Sequence, residues 1–247
     1  TAAKLQKFLC LKYSDPKKLN FILDKKKFVN HCLKFKIPVP LELKKKKSIY
    51  KKFPVVVKPA VSNFGKQGIS IVKNKSYLDK SIKIAKKYSK NKLYIIQQFV
   101  KGSDIVFMGV VKNKKVVELT FISEINKIKK NLVTRNAFKN PVSNLSNNMK
   151  KKVFKITNKL IKIFNLDNTP INISFRISGI KLYLIEINLE ISGELIHEKL
   201  IKFKKKNYNS FDWYLDNLFL NNKVNKYKFL RKEIKISDKL LGISSEI

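Results

Sequence analysis

Residues 53–72 read FPVVVKPAVSNFGKQGISIV. Val55, Val56 and Val57 form a β-branched run that predicts a short buried strand, bounded by Pro54 and Pro59, neither of which can donate within a central ladder. Lys58 is thereby placed at a strand end. A polar stretch bearing Gly65 and Gly68 follows, and Ile69 to Val72 then predicts a second strand. A hairpin loop of this composition lays backbone N–H groups against an anion, because glycine permits close approach and positive φ. Taken singly, such a loop in a basic chain is more often only a turn.

Outward from this hairpin, helices alternate with pairs of strands. Upstream, Phe28, Val29, Cys32, Leu33 and Phe35 recur at helical spacing after Asp24, and Ile37-Pro38-Val39-Pro40 stops that helix and runs out extended. Residues 1–23 carry no motif and read as a lead-in or the remnant of a preceding domain. Downstream, Ser76 is the expected N-cap of a helix lined by Leu78, Ile82, Ala85 and Tyr88. Leu93 to Phe99 predicts a strand. Ile105–Val111 and Val116–Phe121 predict a hairpin turned at Lys112-Asn113-Lys114-Lys115. Residues 122–145, polar and irregular, predict a mobile loop.

Helical spacing returns over Asn148–Phe164, and Ile171–Ile177 with Leu182–Asn188 predict a late hairpin turned at Ser178-Gly179. Ser210 is the expected cap of a final helix with Phe211, Tyr214, Leu215 and Leu218, in which Trp213 is a core or interface aromatic. There is no glycine fingerprint of dinucleotide binding. The order of elements gives an α+β class in two lobes that meet near Lys101-Gly102, with residues 24–101 in the first lobe and 102–247 in the second.

The 247 residues are 44% hydrophobic, which suits a globular protein and excludes disorder. No apolar run is long enough to span a bilayer, so no membrane partner is expected and the compartment reads as cytoplasmic. Cys10 and Cys32 are too few for a disulfide framework and lack metal-ligand spacing with His31 or His197. The formal charge of +38 points first to nucleic acid. Yet 52 of the 55 basic residues are lysine, the arginines being Arg135, Arg176 and Arg231. Lysine, asparagine and isoleucine share A/T-rich codons, the lysines are spread along the chain, and readers of bases favour arginine forks. A solvated basic surface therefore ranks above a nucleic-acid partner.

Four segments, in order and at matching spacing, resemble the ATP-grasp superfamily. They are Asp24-Lys25 with Ile37-Pro38-Val39-Pro40; Pro54 to Pro59 with Gly65 and Gly68; Ile95 to Asp104; and Leu184-Ile185-Glu186-Ile187-Asn188 with Ser192-Gly193. The resemblance implies two α+β lobes that close on nucleotide, with the family's upstream domain absent or present only as a stub. It implies ATP and Mg²⁺, with Mn²⁺ as an alternative. By the same resemblance Lys25 and Lys58 contact phosphate, and Gly65 and Gly68 form the phosphate loop. The hinge Gln97, Gln98 and Val100 reads adenine, and Asp104 holds the ribose.

Glu186 and Asn188 alternate on one face of a strand, as a pair of hard oxygen ligands for Mg²⁺ requires. Ser174 stands where the family brings a further metal ligand. Glu190 stands where the family has an arginine facing the transferred phosphoryl group, a reversal of charge. Arg135 and Arg176, rare arginines among lysines, are the candidates for holding an anionic substrate or phosphate. The implied activity is that of a ligase activating a carboxylate as an acyl phosphate for attack by an amine or related nucleophile. Its partners would be those small molecules, with self-association left open. The rivals are a catalytically silent nucleotide-binding module and a basic nucleic-acid-binding protein.

Overall fold

The computed structural model describes residue 8 and residues 16–62, 66–140, 142, 145–193, 196–203, 207–219 and 232–235. The first half contains α1 (Pro16–Leu23), α2 (Lys25–Lys34), α3 (Lys46–Tyr50), β1 (Val55–Pro59), β2 (Ser70–Val72), α4 (Leu78–Lys87) and β3 (Tyr94–Gln98). The second contains β4 (Ser103–Lys112), β5 (Lys115–Lys129), β6 (Leu132–Asn140), α5 (Asn147–Phe164), β7 (Thr169–Ser178), β8 (Lys181–Asn188), α6 (Ser210–Leu218) and β9 (Lys232–Lys235). The strands form one sheet in the order β3-β1-β2-β6-β5-β4-β7-β8, with β9 paired to β6.

The Val55–Val57 run sits in the middle of its part of the sheet, Val55 pairing with Val72 on one side and with Gln98 on the other. Its alternation sorts side chains by face. Val55 and Val57 enter a small core with Ile49, Val72, Leu78, Ala85 and Ile96. Val56 and Lys58 face the opposite way, into a cleft.

The larger part of the sheet is covered on both faces, so β4 reads as a continuous apolar run. Ile105, Phe107 and Val111 pack with Val153, Leu160 and Phe164 of α5 and with Phe28 and Cys32 of α2. Val106, Met108 and Val110 pack on the other side with Ile196, Leu200, Trp213 and Tyr214. Trp213 is thus a core residue.

Several local expectations are corrected. The stretch 122–145 holds the end of β5 and all of β6, paired as a long antiparallel ribbon. A register shift between Ile125 and Asn126 breaks the alternation, and the lysine-rich tip has no buried face, so the ribbon looks like a loop. Its tip reaches β2: Ile71 N–H donates to the Asn131 carbonyl at 2.8 Å and Val133 N–H to the Ile69 carbonyl at 3.0 Å. Ser76 does not cap α4. Its hydroxyl donates to Asn74 within a 3-10 turn that precedes the helix. The cap of α6 is Asn209, in a reciprocal pair with Asp212, while Ser210 is buried against His197.

Candidate functional site

Two adjoining concavities lie where the two parts of the sheet meet. The larger is about 710 Å³ and the smaller about 200 Å³, and they share Lys66, Ile69 and Glu124. The first has the size and mixed lining of a small-molecule site.

Lys58 enters the larger concavity from the end of β1, almost fully buried. Burial brings its ammonium down to about 7; Glu186 opposes that shift, and Lys25, Lys66 and Arg176 add to it. Gln97 is buried in the same wall, and its amide nitrogen donates to the Pro40 carbonyl at 2.8 Å. That bond explains a glutamine here, because a carboxylate would face the carbonyl oxygen. It also leaves the amide oxygen as the acceptor. Gln98 and Val100 line the cleft beside it, and Gln98 N–H donates to the Leu41 carbonyl at 2.9 Å. Past them, Gly102 is pressed against β7, and a Cβ there would collide with the Ile177 carbonyl.

Asp104 lines the far wall, directly opposite Arg176 in the β4–β7 register. The guanidinium grips both carboxylate oxygens, each at 2.7 Å, and also donates to the Val100 carbonyl at 3.1 Å. Asn126 donates to the same carboxylate at 2.7 Å. Arg176 thereby ties the Val100 backbone to Asp104, and it borders the larger concavity and not the one that Glu190 lines. Arg135 is the arginine that lines the smaller pocket.

That smaller pocket is the polar one. Glu186 pairs across the strands with Ser174 and Asn188 with Asn172, so the two-residue period of β7 and β8 gathers four oxygen-bearing side chains on one face. Asn172 donates to Ser192. Lys25 is the first residue of α2, whose cap Asp24 accepts from Lys26 and Lys27 N–H. Lys25 N–H donates to the Ala60 carbonyl at 2.8 Å, which fixes the helix start beside the exit of β1. Its ammonium donates to Ser62 at 3.1 Å and lies 4.0 Å from Glu186. Burial pushes the Glu186 carboxyl up, but Lys25, Lys66, Lys58 and Arg135 together hold it below the usual carboxylate range. Exposed Glu190 lines this pocket as well.

Gly68 has a φ of +70°, and a Cβ there would come within 2.9 Å of Tyr88, so only glycine suits this turn. Gly65 lies outside the described residues. Among the described residues no group of three His, Cys, Asp or Glu forms a self-sufficient metal site. One ionised carboxylate with neutral amide and hydroxyl oxygens suits a hard divalent cation that keeps waters and shares its shell with a phosphorylated ligand. These residues fit Mg²⁺ on those terms.

Sequence reasoning missed Lys66 and Glu124, which stand where the two concavities join. Lys66 is inside the quoted glycine stretch. Glu124 is an acid in the stretch Phe121-Ile122-Ser123-Glu124-Ile125, in a chain with 17 acidic residues against 55 basic ones, and that rarity was an available signal.

The class defined here is an α+β protein with a cleft, basic at one end, between two parts of one antiparallel sheet. A family model described as the ATP-grasp domain matches residues 22–194, and the chain belongs to that family. A search of curated proteins finds no match. Among solved structures it is similar to the biotin carboxylase domain of 2-oxoglutarate carboxylase from Hydrogenobacter thermophilus, solved with MgADP, ADP and bicarbonate. There the TM-score is 0.68 at 15% identity, covering 91% of this chain and 51% of that one. The L-amino acid ligase from Bacillus licheniformis gives 0.66 at 18%, over 87% of this chain and 52% of that one. The D-alanine–D-alanine ligase from Bacillus anthracis gives 0.59 at 16%, over 88% and 69%. At these identities the likeness is one of fold, and the chain spans about half the length of the carboxylases it matches.

Proposed function

We propose that the cleft binds Mg·ATP and that the chain is the nucleotide-binding core of an ATP-dependent ligase acting on a carboxylate and an amine or related nucleophile. The observation that carries this reading is the gathering of cations on the ionised Glu186: Lys25 lies 4.0 Å away and Lys66, Lys58 and Arg135 also act on it, at the polar end of a cleft whose larger part is lined by Gln97, Gln98, Val100 and Asp104. A triphosphate needs that combination: cations to offset its charge, an oxygen-lined metal position, and a less polar slot for the base.

In this reading the lobes 24–101 and 102–247 hold the ligand between them. Lys58 and Lys25 bind phosphate. Glu186, Asn188 and Ser174 supply oxygens to Mg²⁺, which when bound screens the phosphates as a Lewis acid. Gln97 offers its amide oxygen to the adenine amino group, and Val100 packs on the base. Asp104, pre-oriented by Arg176 and Asn126, accepts from the ribose. Arg135 faces the acceptor in the smaller pocket. A carboxylate oxygen held there attacks the γ-phosphorus as the bond to ADP breaks. The neutral amine then attacks the acyl carbon, and phosphate leaves with the bonding pair and takes up the proton lost from the amine nitrogen.

A second reading, a nucleotide-binding module without turnover, is favoured by Glu190 in the smaller pocket and by the neutral Ser174 opposite Glu186. Thermal-shift titrations with Mg·ATP and with duplex DNA, each at several salt concentrations, test the binding claim. Stabilisation by Mg·ATP that survives moderate salt is expected. Stabilisation by DNA alone, with a steep salt dependence, overturns both nucleotide readings. ADP release on adding mixed carboxylates and amines separates the ligase from the silent module.

A further inference from the structure

Among the described residues three carboxylates line the smaller pocket, and two of them have cations at hand. Arg135 donates to Glu124 at 2.9 Å and the Lys66 ammonium lies 3.2 Å from it, while Lys25 lies 4.0 Å from Glu186. Glu190 is the third. Among the described residues no donor bonds to it and no cation pairs with it, in a chain where basic residues outnumber acidic ones 55 to 17.

Its place follows from β8. Glu190 comes two residues after Asn188, the last residue of that strand, in step with Glu186 and Asn188, and it lines the same pocket while remaining exposed. Apolar surface in this pocket comes from Val106 of β4, Ile122 of β5, Phe138 of β6 and Ile196, all four buried. The whole space is about 200 Å³.

A substrate carboxylate entering here meets opposing demands. The cations acting on Glu186 draw it in, and Glu190 repels it. An anion that carries its own ammonium satisfies both, with its carboxylate turned to the cations and its ammonium held by Glu190 in a charge-assisted hydrogen bond. So small a pocket takes both groups only when they stand close together on one short molecule, and its apolar surface suits a short aliphatic side chain.

We propose that the carboxylate substrate is a short-chain aliphatic amino acid and that Glu190 selects it by holding the ammonium. The inference rests on the reading of the cleft as an ATP-dependent ligase site. The ammonium stays protonated and takes no part in phosphoryl transfer, so Glu190 sets specificity. An acid at position 190 is then a choice of substrate and not a sign of lost chemistry.

Propionate is alanine without its ammonium, and ethylamine is alanine without its carboxylate. Calorimetry with L- and D-alanine, propionate and ethylamine, each at saturating Mg²⁺ and a non-hydrolysable ATP analogue, tests the proposal on the wild type and on Glu190→Gln. The wild type is expected to bind one alanine enantiomer at least about fivefold tighter than propionate or ethylamine, the margin a charge-assisted contact keeps at an exposed carboxylate. Glu190→Gln is expected to lose that margin by weakening alanine alone, with propionate unchanged or tighter and the analogue bound within about threefold of the wild type. Because Glu190 is exposed, the substitution leaves the fold intact. Propionate bound as tightly as alanine, ethylamine bound tightest, or an alanine preference that survives in Glu190→Gln overturns the proposal. So does a Glu190→Gln variant that needs more Mg²⁺ to bind the analogue, since Glu190 would then be serving the metal. A wild type that binds no analogue defeats the parent reading along with this one, whereas a wild type that binds the analogue and none of the small molecules defeats this one alone.

Discussion

Raising the pH from 7 to 8.5 perturbs Lys58 without a mutation. Its ammonium is buried at 7% exposure and titrates near 7 in the free protein, driven by burial and resisted by Glu186. A triphosphate against it favours the charged form and returns it towards the ordinary lysine value of about 10.4. At pH 7 about half the free molecules already carry the proton, and at pH 8.5 about one in thirty do, so Mg·ATP affinity should fall by about an order of magnitude over that interval. Binding at pH 8 should take up close to one proton.

The ligand-free protein should move the other way. Below pH 7 the cost of burying a charged lysine is fully present, and it is relieved as the pH rises from about 7 towards the unfolded value near 10.5. Calorimetry at pH 8 in two buffers of different ionisation enthalpy reads the proton count directly, and Lys58→Met should bind weakly with a flat profile. Constant affinity between pH 7 and 8.5, with enthalpies independent of buffer, would refute the reasoning.

Glu186→Gln keeps shape but removes the ionised ligand, so Mg²⁺-dependent nucleotide binding should drop about tenfold while metal-free binding changes less; an unaltered Mg²⁺ titration would exclude β8 as the metal strand. Glu190→Arg should change Mg·ATP affinity less than about threefold, because Glu190 is exposed and Lys25, Lys66 and Arg135 already line its pocket. A large gain in affinity and in ADP release would instead favour the silent module. His197, 2% exposed, is lowered by burial to about 4, with Glu198 opposing. The unfolded chain binds more protons between about 6.5 and 4, so acidification through that window should cost about 3 kcal/mol of stability, and His197→Gln should flatten the acid limb in urea unfolding.

Local sequence determined the elements whose signal is local. Three consecutive β-branched residues placed β1, and their parity aimed Lys58 into the cleft beside Val56. The period of two in Leu184–Asn188 put Glu186 and Asn188 on one face. Asp24 before a helical apolar stripe located the start of α2, with Lys25 as its first residue. The order of these segments sufficed for the family, because each needs only a few neighbouring side chains to be recognisable.

Which charge meets which was decided by tertiary structure alone. Arg176 and Asp104 are 72 residues apart, and only the β4–β7 register makes them partners. Arg176 donates to Asp104 and to the Val100 carbonyl, while Arg135 reaches the smaller pocket from a ribbon that reads as a loop. The triad of Lys66, Glu124 and Arg135 draws on a turn and two strands. Periodicity records which face of an element is buried, since burial acts on each side chain independently. Pairing of charges depends on strand order and register, which long-range packing sets and no local pattern contains.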